Sequence, residues 1–169
     1  TSSGLASLLL PIDAFDTSTH QVMGRRVAGS SFAQGLAASL KPGDQLSVFT
    51  GSREALPALQ ALLQPALTPG AQAHLHADLD PTLIAMSGCL HLPDPGLHHW
   101  CWLRADGAAS RFSLTGVTHT LCSHAVMQSL EQLVTAPLEP WDALVCTSRS
   151  ALQVVQAAMA CMHERLERR

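Results

Sequence analysis

The sequence predicts an α/β domain with a mostly parallel sheet of about six strands and helices on both faces. Three observations carry that expectation. Short apolar, β-branched runs alternate along the chain with runs whose apolar residues recur at helical spacing, the pattern of repeated strand–helix units. The 169 residues suit one domain with a real core. They are 47% hydrophobic and only 14% charged, where an average domain carries about 25% charged residues. Such a balance fits strands buried on both faces, or a domain whose surface is partly covered by something else.

The elements follow in order. Leu5 to Phe15 reads as the first strand, ended by the polar run Asp16 to His20. A glycine- and arginine-containing loop, Met23 to Gly29, leads to a helix capped by Ser30 or Ser31 and stopped by Lys41-Pro42-Gly43. Asp44 to Thr50 is a second strand. Ser52 then caps a helix with Leu56, Leu59, Leu62 and Leu63 on one face, closing at Gln64-Pro65. Ala71 to Ala77 is a short third strand, followed by a short helix through Leu83, Ile84 and Met86. Cys89 to Leu92 is a fourth strand, cut by Pro93-Asp94-Pro95-Gly96. Leu97 to Leu103 reads as helical, with Trp100 and Trp102 expected in the core, and Ala105 to Ala108 as a turn. Ser113 to Thr118 is the fifth strand, and Ser123 caps the helix after it, which breaks at Pro137 and Pro140. Asp142 to Cys146 is the sixth strand, with Thr147 or Ser148 capping a last helix that runs towards Arg169. No repeat and no low-complexity linker divides residues 1–169, so one domain is expected. The absent initiator Met and the missing stop signal after the last helix suggest a piece cut from a longer polypeptide.

Three stretches carry candidate chemistry. Gly116 allows close backbone approach in the fifth strand, and Thr118, His119 and Thr120 put polar side chains at its carboxyl end. Open α/β sheets bind ligands beyond that end, so His119 is the first candidate; a buried histidine satisfied by backbone is the competing reading. Gly24 and Gly29 have the spacing of a phosphate-binding loop, but Ser30 stands where the lysine belongs, which argues against nucleotide hydrolysis there. What remains is either an anion- or sugar-binding turn at a helix start, with Arg25 and Arg26 nearby, or a tight turn with two solvated arginines. Thr147 and Ser148 follow a buried strand; they suit hydroxyl donors to a ligand, or simple caps. Thr147-Ser148-Arg149 is not a nucleophile elbow.

The bulk chemistry narrows the partners. A net charge of −3 gives no reason to expect nucleic acid. No run approaches the roughly 20 apolar residues of a transmembrane helix. Five cysteines, at 89, 101, 122, 146 and 161, form no C-x-x-C pair. They read as free thiols in a reducing cytoplasm, and the scattered histidines give no metal-ligand spacing.

Met23-Gly-Arg-Arg-Val-Ala-Gly-Ser-Ser-Phe32, Gly116-Val-Thr-His-Thr120 and Trp141-Asp-Ala-Leu-Val-Cys-Thr-Ser148, in this order, resemble the N-terminal half of family 4 glycosyltransferases. The resemblance implies a GT-B architecture, two Rossmann-like domains facing each other across a cleft. This chain would be the N-terminal, acceptor-side one, and the domain that holds the donor would be missing. It implies a retaining transfer from a nucleotide-sugar donor to an unknown acceptor, with no bound metal or other cofactor. The residues it points to are His119 beside the transferred sugar and Gly24 to Gly29 near the donor phosphates. With Arg25 of that loop, and Thr118 and Ser148 from the strand ends, these make the candidate site. Without its second domain the piece would be inactive, and its open cleft face would favour a homodimer. The alternative is a stand-alone Rossmann-like module that binds a small molecule or a protein without catalysis.

Overall fold

The computed structural model describes residues 6–18, 24–106 and 112–168. Six strands form one sheet: β1 (Ser7–Leu9), β2 (Gln45–Phe49), β3 (Gln72–His76), β4 (Cys89–His91), β5 (Ser113–Val117) and β6 (Ala143–Val145). Their order is β3-β2-β1-β4-β5-β6, and every neighbouring pair is parallel. This is a Rossmann-like sheet. The chain winds outward from β1 to β3, returns to β4, and winds outward on the other side. The carboxyl ends of β1 and β4 therefore flank the crevice where the winding reverses, which is where such sheets take ligands.

Seven α-helices accompany the strands among the described residues: α1 (Ile12–Phe15), α2 (Gly24–Ser39), α3 (Leu56–Leu63), α4 (Pro81–Ser87), α5 (Leu97–Asp106), α6 (His124–Leu133) and α7 (Arg149–Glu167). One sheet face buries Leu8, Leu10, Leu46 and Val48 against Ala33 and Ala37 of α2 and Leu59 and Leu63 of α3. The other buries Leu90, Leu92 and Leu114 against Cys101 of α5, Leu130 and Leu133 of α6 and Val155 of α7. Three of the described helices begin on side-chain caps, whereas Ser52 caps a 3-10 turn, Arg53–Ala55, that leads into α3, whose own N-cap Ala55 makes no side-chain bond. Ser123 Oγ accepts from Val126 N, and Ser148 Oγ accepts from Ala151 N at 3.0 Å. Asp80 does the same for α4 through Thr82 N at 2.8 Å.

The chain departs from the sequence reading at its start. Strand β1 stops at Leu9, and Ile12–Phe15 form a helical turn behind Pro11, whose φ of −65° suits the residue that leads into a helix. The expected Gly24–Gly29 loop is helix from Gly24 onward, so neither Ser30 nor Ser31 caps it. The reason is packing: a Cβ on Gly29 would run into the carbonyl oxygen of Ala14, so glycine here lets α1 and α2 touch. Met23 lies outside the described residues. Trp102 is also not in the core; it is 52% exposed, while Trp100 packs partly against the second core cluster.

Past Phe32 of α2, no described helix covers the first face over β4 to β6. Burial alternates along β5, and Ala143 and Val145 of β6 are exposed. Parallel sheets normally cover both faces, so among the described residues this half-face stands out.

Candidate functional site

Three elements bring polar side chains to the carboxyl edge of the sheet. Helix α2 supplies Arg25 from its first turn, the Pro93–Gly96 segment after β4 supplies Asp94, and the end of β5 supplies His119. Together with Thr120, Ser123 and Ser129 they line a cavity of about 240 Å³. The cavity opens on the crevice side, where the winding of the sheet reverses.

Asp94 is held from three directions. Its Oδ1 accepts from Gly96 N at 2.9 Å and its Oδ2 from Arg25 Nη2 at 3.2 Å. From below, its backbone oxygen rests on Gly116, where an added Cβ would stand only 2.5 Å away. Gly116 thus makes the close backbone approach its place in a strand suggests. Arg25 in turn donates through Nη1 to Asp13 Oδ2 at 3.0 Å, so one guanidinium spans two carboxylates. Such a fork fixes the side chain's direction.

His119 is half-buried beside this group. Burial pushes its pKa below the usual histidine value, and the Arg25 charge pushes it further down, while Asp94 pulls the other way. The imidazole is therefore neutral at pH 7, with one nitrogen to donate and one to accept. His91, on the sheet beneath, is also shifted down, by burial first and then by His119. Its Nδ1 shares a hydrogen with Thr115 Oγ1 at 2.9 Å, and its ring packs on Phe32 with centroids 4.6 Å apart.

The other sequence candidates divide. Gly24 opens α2 directly before Arg25. Gly29 sits a turn further along against Ala14, on the wall of a second, apolar cavity that shares His119 and Pro93 with the first. Thr118 is 1% exposed; its Oγ1 accepts from Thr147 N at 3.2 Å and so ties the end of β5 to the end of β6. Ser148 caps α7. Of the six, Arg25 and His119 meet on the polar cavity, and Thr118 and Ser148 serve the frame around it.

Sequence reading missed Asp94, Asp13 and Ser129. The signal for Asp94 was present in Pro93-Asp94-Pro95-Gly96 directly after an apolar strand, a polar loop at a strand's carboxyl end. Nothing local marked Asp13, which sits inside a run read as strand and gains its role through Arg25.

Among the described residues no His, Cys, Asp and Glu side chains group as a metal site, and no helix is long and apolar enough to cross a membrane. Comparison of the chain with protein families, with curated proteins and with solved structures gives no match.

Proposed function

We propose that this chain is the acceptor-side domain of a GT-B glycosyltransferase that moves a sugar from a nucleotide-sugar donor to an acceptor hydroxyl with retention. The observation that carries the reading is the meeting of Arg25, Asp94 and His119 at the carboxyl edge of the sheet. Two of these three lie in the motifs that resemble family 4 glycosyltransferases.

The chemistry asks for two kinds of help. As the bond from the anomeric carbon to the leaving diphosphate stretches, positive charge develops on the sugar ring and negative charge on the phosphate oxygens. A neutral His119 hydrogen-bonds a sugar hydroxyl without adding positive charge next to the ring. Arg25, at the described start of α2, can pair its guanidinium with the phosphate oxygens. It takes the place of the expected glycine loop as the element facing the diphosphate. Asp13 and Asp94 hold Arg25 in direction and temper its charge, which suits a group that must also release its product.

In this reading a second, donor-holding domain completes the cleft. Incubating the full-length natural gene product with a panel of nucleotide sugars and acceptors tests it, with the freed nucleoside diphosphate as the signal. Release that depends on acceptor supports the reading. Binding of a nucleotide sugar without turnover would favour the non-catalytic module instead.

A further inference from the structure

The apolar cavity beside His119 has a volume of about 170 Å³. Phe32 forms one wall, Val117 and Val145 the floor on that half-face, and Pro93 and His119 the rim towards the polar cavity. His91 is the other polar residue in contact with it, and its Nδ1 is already engaged by Thr115. Besides His91 Nε2, a ligand hydroxyl lowered onto this floor would find side-chain partners only at the rim, which makes burial of a polar group there unfavourable. Hydrocarbon is favoured, as its burial frees Phe32 and Val145, now 47% and 52% exposed, from water.

Size narrows the occupant further. An apolar cavity of about 150 Å³ is known to hold benzene. A protein partner needs an interface on the order of 1,000 Å², well beyond what a hollow of this size contributes. The two cavities meet at His119 and Pro93, so one molecule can fill both by placing a hydroxyl at the rim and its carbon skeleton on the floor.

We infer that the acceptor is an amphiphile whose reactive hydroxyl is borne by a compact hydrocarbon group, about the size of a phenyl ring, seated on Phe32, Val117 and Val145. The inference rests on the glycosyl-transfer reading of the His119 site, and it names the class of acceptor that this site takes.

Benzyl alcohol is the probe, with glycerol as the polar control. Methyl NMR of the 169-residue chain reads the floor directly through Val117, and Leu62 on α3 serves as a remote reference. Benzyl alcohol should shift the Val117 methyls saturably and leave Leu62 unmoved, while glycerol shifts neither. Val145→Phe, at a half-exposed edge position, should fill the floor and weaken binding at least about tenfold. Phe32→Ser, on an exposed part of α2, should weaken it as well. Absence of a saturable Val117 shift up to the probe's solubility, or equal binding by both variants, would overturn the inference. Transfer assays on the full-length product separate this from the parent reading. Transfer to benzyl alcohol in preference to glycerol is expected. Transfer to glycerol alone overturns the hydrophobic acceptor and leaves the glycosyltransferase standing. Saturable binding with no transfer to any acceptor overturns the glycosyltransferase and upholds the cavity's ligand class.

Discussion

Arg104 and Asp142 meet in two parallel hydrogen bonds, Nη1 to Oδ1 at 2.6 Å and Nη2 to Oδ2 at 2.7 Å, with side chains only 3% and 2% exposed. Both groups make further hydrogen bonds. Arg104 also donates to the carbonyls of Phe112 and Pro137, and Asp142 accepts from Leu114 N and Glu139 N at 2.8 Å each. The pair thus joins α5, β5 and the entry to β6 at the edge of the sheet opposite the candidate site.

Breaking that pair should be costly. Arg104→Met or Asp142→Asn strands a buried partner, and each is expected to destabilise by roughly 3–5 kcal/mol, read as a lowered urea midpoint. Burial alone would raise the Asp142 pKa, but the bonds from Arg104, Glu139 and Leu114 outweigh it and hold the carboxyl below its usual value. A group with a depressed folded pKa stabilises above its unfolded pKa of about 3.9 and loses that contribution as pH falls through the folded value. The wild type should therefore lose stability below about pH 4 more steeply than Asp142→Asn. Asp94→Asn, by contrast, alters a pair that is partly open to water, and should change stability by less than about 1 kcal/mol.

Two of the glycines of α2, Gly29 and Gly35, should respond in opposite directions to alanine. At Gly29 the new methyl meets the Ala14 carbonyl, and forcing α1 away should cost about 1–3 kcal/mol. At Gly35, exposed and with nothing within 4 Å, the same change should stabilise by roughly 0.5–1 kcal/mol through helix propensity. Thermal unfolding of the two variants checks both signs. An unchanged Gly29→Ala protein would mean that the two helices do not touch there.

His91 and His119 should titrate low. Both have pKa values lowered mainly by burial, so the folded protein binds fewer protons than the unfolded chain just below the free value of about 6.5. Stability is then full above that pH and declines as pH falls through the folded values. NMR titration of the two imidazoles should give midpoints below 6.5. A midpoint above it for His119 would mean that Asp94 outweighs both burial and Arg25.

Much of the fold could be read from the chain because strands β2 to β6 are short runs with clear ends, and Ser123 and Ser148 announce their helices. The start of the chain was harder for a physical reason. Gly24 and Gly29 are local signals for a loop, yet close packing of α2 on Ala14 outweighs their poor helix propensity. Within the site, His119 was visible because it follows a strand directly. The fork from Arg25 to Asp13 and Asp94 was not, since it joins residues 12 and 69 positions apart along the chain, and no local pattern encodes it.

The central claim is that His119 acts on the sugar during transfer. The most direct test compares turnover of nucleotide sugar and acceptor by the full-length product with that of its His119→Ala variant, after equal thermal midpoints show that both are folded. The account predicts a fall in kcat of roughly a hundred- to a thousandfold, the cost of removing one aimed hydrogen-bonding group. Turnover that survives unchanged in the variant would contradict it.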